Sequence, residues 1–209
     1  MSLQIQQKNN GFTLIEMLVA LSLFTIVVTI VAGSLLVLID GNKQLQGEQS
    51  VMTNLSFAMD SMTREIRTGS KYLCWESNFP GIFSDQEGKN FSDCTLGNNN
   101  NKKYQGVSFV ETGSSITGTG AFRIAYFYDS INKTINRRVG NNATAQSIVS
   151  NGISIDRAEF FVTGSSPFGM NEDINQPTVT IVIEASETGA AGEKPYVLQT
   201  TITQRELDL

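Results

Sequence analysis

From Phe12 to Ile39 the chain runs through 28 residues that contain one ionisable side chain, Glu16. As a helix this run reaches roughly 42 Å, more than the 30 Å or so of a bilayer's hydrocarbon core. It breaks at Asp40-Gly41-Asn42-Lys43, and a different pattern follows. Leu45, Met52, Leu55, Met59, Met62 and Ile66 recur at spacings of seven, three, four, three and four, with Glu48 in the one missing position and Val51 beside it. This is the stripe of an amphipathic helix whose apolar face packs on a core. One long helix is therefore predicted from about Phe12 to Arg67, with a bend at Gly33 or Gly41. Arg64, Glu65 and Arg67 should point to solvent, and Thr68-Gly69-Ser70 should end the helix.

Residues 70–103 show no clear period. Trp75, Phe79, Ile82, Phe83 and Phe91 are scattered among Gly, Pro, Asn and Ser, which predicts a loop-rich flap with a polar tip at Gly97–Asn101. From Tyr104 the period becomes two. Strands are expected around Val107–Phe109, Phe122–Tyr128 and Thr134–Val139, with a turn at Asp129–Lys133, and then at Ile153–Val162, Thr178–Ala185 and Val197–Arg205. A long helix followed by a mostly antiparallel sheet is an α+β order. The sheet is expected to bury its apolar face on the stripe from Leu45 to Ile66.

A carboxylate inside an apolar span costs on the order of 2.5–3.5 kcal/mol at mid-membrane depth. Glu16 lies one helical turn from Phe12, so it either sits near an interface at lower cost or meets a cation at its own depth. The surrounding residues bear on that choice. The polar stretch MSLQIQQKNN is followed by Gly11-Phe12-Thr13-Leu14-Ile15-Glu16 and then by the apolar run. This order closely resembles the N-terminus of type IV prepilins and type II secretion pseudopilins. The resemblance covers roughly residues 8–70 and is architectural beyond them.

The resemblance implies cleavage by prepilin peptidase between Gly11 and Phe12 and methylation of Phe12. Of 209 residues, loss of the first 11 would leave 198. Glu16 falls on the family's glutamate, whose partner is the N-terminal amine of a neighbouring subunit. The new amine on Phe12 would then supply the missing cation, and each charge would offset the other's burial penalty. The implied organisation is a leader over 1–11, an apolar membrane or filament-core helix over 12–39, an amphipathic continuation over 40–69, and an exported head over 70–209. The implied function is structural: a pilus or pseudopilus subunit held in the inner membrane with a cytoplasmic N-terminus, then moved into the filament. Its partners would be other pilin or pseudopilin subunits, the peptidase, an inner-membrane assembly platform, and lipid before assembly. The head is large for a major pilin, and the pattern looks most like a minor subunit of the J-type or W-type, which would prime assembly at the tip. One class of tip pseudopilin lacks the glutamate, and Glu16 argues against that class. Many pilins also carry a proline where this chain has Gly33. The alternative within the family is a tip adhesin whose head touches a surface, a sugar or DNA, for which exposed aromatics in 75–91 would speak.

Other readings of the apolar run make different predictions. A secretory signal has an apolar region of about 7–15 residues. Val31-Ala32-Gly33 could pass as its cleavage site, but the run continues beyond it. An uncleaved anchor fits the length and requires neither Gly11 nor Glu16. Lys8 ahead of the run and Asp40 behind it favour a cytoplasmic N-terminus.

Composition narrows the chemistry. The formal charge is −5, which argues against a nucleic-acid-wrapping surface. Lys102-Lys103 and Arg137-Arg138 are local exceptions, expected at solvated loop or strand ends. Histidine is absent, which removes the usual base of hydrolase triads and the commonest metal ligand. No catalytic residues, cofactor or metal are therefore expected, and a membrane-tethered enzyme has no residues to support it. Cys74 and Cys94 are the only cysteines. In an exported head an even count favours a disulfide, two free thiols being the alternative. Glu172-Asp173 and Asp156 could join a calcium site but lack an EF-hand-like spacing, so loop solvation is expected. The sequons at Asn90, Asn132 and Asn142 are read as chance in a chain with a prokaryotic export signal.

Overall fold

The structure, a computed structural model, describes residues 11–76, 92–95, 103–111, 123–140, 144–166, 175–188 and 195–205. Its first element is the helix α1, Leu14–Arg67, 54 residues without interruption. Among the described residues it is followed by eight strands: β1 Gly69–Trp75, β2 Gly106–Glu111, β3 Arg123–Asp129, β4 Thr134–Val139, β5 Gln146–Ser147, β6 Ile153–Thr163, β7 Thr178–Glu187 and β8 Tyr196–Thr203. The arrangement is the expected α+β, pilin-like one. The chain divides into two compact units, residues 1–47 and residues 48–209.

In the first unit α1 carries no buried residue from Leu14 to Gln44. Gly33 and Gly41 both lie within the helix, and a Cβ at either would meet nothing. α1 is unbroken at both positions.

The second unit holds two antiparallel sheets where one was expected: a five-stranded meander β1-β2-β3-β4-β5 and a three-stranded β6-β7-β8. Both sheets share one core with the end of α1. Val51, Leu55, Ala58, Met59, Met62 and Ile66 cluster with Tyr72, Phe109, Tyr126 and Ile135 of the first sheet and with Ile155, Phe160, Ile181, Ile183 and Ile202 of the second. Each large apolar side chain so buried stabilises by about 1.5–3 kcal/mol. The stripe is shifted from its expected phase: Leu45 is 56% and Met52 42% exposed, while Val51 is buried. Positions 45, 52, 59 and 66 form a seven-residue repeat, which drifts about 20° per heptad on a straight helix. Two or three heptads back from Ile66, the repeat has left the packed face.

The flap reading needs a second correction. Residues Gly69–Trp75 are a strand, paired with β2 from Gly69↔Glu111 to Trp75↔Gly106. Their period of two is hidden by a bulge between Ser70 and Leu73, where Lys71 has φ 54°. The Arg123 guanidinium donates to Lys71 O and to Ser108 O, pinning the bulged strand to β2. Phe79, Ile82, Phe83, Phe91 and the Gly97–Asn101 tip lie outside the described residues.

Of the remaining strands, the two-residue β5 has no counterpart among those expected; the others were legible. β4 matches its expected bounds, and β6, β7 and β8 do so within two residues at each end. The β3–β4 turn is held by the Asp129 carboxylate, which accepts from the N–H groups of Ile131 and Asn132 at 2.9 and 3.1 Å and from Asn132 Nδ2 at 2.7 Å.

Candidate functional site: the N-terminal segment and the tied head

Gly11, Phe12 and Thr13 precede the helix, which begins at Leu14. Thr13 is its N-cap. Its Oγ1 accepts the N–H of Glu16 at 3.4 Å, and its carbonyl accepts the N–H of Met17 at 3.2 Å. Thr13-Leu14-Ile15-Glu16 thus has the order of a capping box, Thr followed three residues later by Glu. A carboxylate in the first turn is also favoured by the partial positive charge of the helix N-terminus. Glu16 thus stands in the first turn of α1, four residues from Phe12.

Phe12 is 80% exposed, and every residue from Gly11 to Gln44 is exposed. The hydroxyls along the apolar run are satisfied internally. Ser22 donates to Val19 O, Thr25 to Ser22 O, Thr29 to Thr25 O and Ser34 to Ile30 O, at 2.8–2.9 Å. Water is not available to bond such groups within hydrocarbon, so this arrangement suits a lipid environment. By length and composition the helix is long and apolar enough to cross a membrane.

In the head, Cys74 of β1 and Cys94 are joined by a disulfide with Cα atoms 6.4 Å apart. Cys94 also pairs with Val162 of β6, N–H to C=O in both directions at 2.8 and 3.1 Å. Ser92 N–H donates to Tyr72 O at 2.9 Å, and the Asp93 carboxylate accepts from Ser165 N–H and Gly164 N–H at 2.8 and 3.2 Å. The short segment 92–95 is therefore a clasp between the two sheets.

A second tie joins α1 to the first sheet. Tyr126 Oη donates to Glu65 Oε2 at 2.6 Å, and Arg137 Nε donates to the same oxygen at 2.9 Å. Burial, then the bond to Glu65, pushes the Tyr126 hydroxyl well above its ordinary value; Arg137 is held above its own chiefly by the bond to Glu65. This corrects two expectations: Glu65 does not point to solvent, and Arg137 and Arg138 are half-buried in mid-strand. Nothing in the one-dimensional pattern distinguished Glu65 from the exposed Arg64 and Arg67, because its partners lie 61 and 72 residues away.

Of the other candidates, Asp156 accepts from Ser186 Oγ at 2.9 Å and lies 3.8 Å from Lys133 Nζ. Among the described residues no group of three or more His, Cys, Asp or Glu could hold a metal. Glu172, Asp173, Lys102, Asn90 and Asn142 lie outside the described residues. Asn132 is the turn residue bonded to Asp129.

Residues 6–32 match the family model described as the prokaryotic N-terminal methylation motif. The fold and this segment together define a chain with a type IV pilin-like or pseudopilin-like N-terminal signal, an apolar helix that fits membrane anchoring, and an α+β, disulfide-bonded head. No curated protein and no solved structure matches the chain.

Proposed function

We propose that this chain is a structural subunit of a type IV pilus or type II secretion pseudopilus. It is cut between Gly11 and Phe12 by prepilin peptidase and methylated on Phe12. It is held in the inner membrane with its head exported, and it assembles with other pilin-type subunits as a minor component of the tip or initiation complex. One observation carries this reading: Glu16, the sole ionisable residue between Phe12 and Ile39, sits in the first turn of a helix that buries none of that run within its own chain. A helix so exposed needs lipid or other helices around it. The carboxylate then needs a cation at the same depth, and cleavage before Phe12 creates one four residues away.

The test is the N-terminus of the protein expressed with its peptidase. Mass spectrometry should find a chain beginning at N-methyl-Phe12. Gly11→Leu should leave the precursor intact in the membrane, and Glu16→Ala should be cleaved but fail to enter filaments. A product beginning at Met1, or within the apolar run, overturns the reading.

A further inference from the structure

Among the described residues the two sheets have four edges, and three of them are bulged, very short or bonded to other segments. The edge of β1 is bulged and bonded by Ser92 N–H. β5 is two residues long. The edge of β6 is engaged at three points, where Ile155 N–H donates to Lys133 O, Phe160 N–H to Tyr104 O, and Val162 exchanges both bonds with Cys94. The outer edge of β8 is the exception.

β8 pairs with β7 without a bulge from Thr178↔Thr203 to Ala185↔Tyr196. The next pair in the same register is bonded, Gln204 N–H to Pro177 O at 3.0 Å. Bonded and non-bonded positions alternate along an antiparallel pair. Tyr196, Leu198, Thr200 and Ile202 therefore direct their N–H and C=O groups to β7, while Val197, Gln199, Thr201 and Thr203 direct theirs outward. All four outward residues are exposed, Val197 by 57%, and no backbone group among the described residues meets them. Arg205, of the same parity, donates its N–H to Arg67 O at 2.9 Å, so the edge ends against the last residue of α1.

Edge strands are ordinarily protected by charge, proline or a bulge. Tyr196–Thr203, YVLQTTIT, has none of these. At its end Arg67 and Arg205 are exposed and make no ion pair among the described residues. We propose that the outer edge of β8 is a strand-addition site. Its occupant is an extended segment of a neighbouring subunit, uncharged over about six residues, entering antiparallel with a carboxylate at its N-terminal end. The backbone ladder supplies the attraction. The two guanidiniums select the acidic end and fix the register. The proposal rests on the subunit reading for the source of the strand alone; the edge itself is independent of processing.

The test uses the full-length chain in detergent micelles, ¹⁵N-labelled, titrated with the N-acetylated peptide Asp-Thr-Val-Thr-Val-Thr-Val. Saturable shifts should concentrate on the amides of Val197, Gln199, Thr201 and Thr203, and those amides should gain exchange protection. The same peptide N-methylated on alternate residues should bind at least about tenfold more weakly, because it cannot complete the ladder. Thr201→Pro, which removes an outward N–H and leaves the β7 ladder intact, should do the same. The double variant Arg67→Glu, Arg205→Glu should prefer a peptide beginning with Lys. Absence of binding, equal binding of the N-methylated peptide, or shifts centred elsewhere would overturn the proposal. Failure of the Phe12 cleavage test would leave these outcomes unchanged.

Discussion

Tyr126 donates its hydroxyl to Glu65 at 2.6 Å across the joint between α1 and the first sheet. The oxygen that receives it also binds Arg137, so one carboxylate oxygen holds a helix, a buried tyrosine and a half-buried arginine. Hydrogen bonds to charged groups contribute about 1.5–3 kcal/mol, and partial exposure of Glu65 places this one near the lower end. Tyr126→Phe should lower unfolding stability by about 1–2 kcal/mol in denaturant titration, with no change of secondary structure by circular dichroism. A smaller loss is expected for Arg137→Lys, which keeps the charge and loses the directed Nε bond.

Gly106 lies under the only tryptophan of the chain: a Cβ there would fall 2.2 Å from the Trp75 ring. Gly106→Ala should therefore displace Trp75, and intrinsic fluorescence reads that directly. The expected result is a shifted emission maximum with a lower midpoint of thermal unfolding. Gly69→Ala should be at least as damaging, since its Cβ would fall 2.3 Å from Phe109 in the core. In contrast, Gly33→Ala meets nothing and removes a helix-interior glycine, so helix content should hold or rise slightly.

On the outer face of the second sheet, Arg157 lies 2.6 Å from Glu184 and holds its carboxyl below the usual carboxylate range, chiefly by that hydrogen bond. A depressed folded value contributes stability above the unfolded value of about 4.3 and loses it as pH falls through the folded one. Glu184→Gln should thus lower stability at pH 7, by less than about 1 kcal/mol given the exposure of the pair, and its deficit should be smaller at pH 3. Urea midpoints at the two pH values decide this.

Loss of the disulfide should be the costliest single change in the head. Closing a loop of 20 residues contributes about 3 kcal/mol on the chain-entropy model. Cys94→Ser should exceed Cys74→Ser in effect, because Cys94 is buried and paired with Val162 of β6, whereas Cys74 is half-buried. Comparative denaturant titration of the two variants measures the difference.

The sequence disclosed what depends on neighbours along the chain. The apolar run, the amphipathic stripe and the alternation of β4 and β7 are local periodicities, and they placed α1 and most strands within two residues. The first sheet was harder because Ser108, Val110, Ala125 and Phe127 on one face are as buried as Val107, Phe109, Ile124 and Tyr126 on the other. Burial on both faces erases the polar–apolar alternation that marks a half-exposed strand. β1 was hidden by the left-handed Lys71. The roles of Glu65, Asp93 and Tyr126 depend on partners 61 to 72 residues distant, which no window along the chain brings together. At the N-terminus the motif residues were visible, but the capping role of Thr13 emerged only with the helix start.

The clasp at Cys74 has a mechanical meaning. Load that outlasts the packing of Val51–Ile66 and the Glu65 tie would pass Arg67 and act next on β1, peeling it from β2. Only Thr68–Leu73 can yield before the load reaches a covalent bond at Cys74, seven residues past the helix end, and passes through Cys94 to the edge of β6. From there the force shears a ten-pair ladder with β7 instead of unzipping a meander. A head so reinforced would resist traction applied through its own stem.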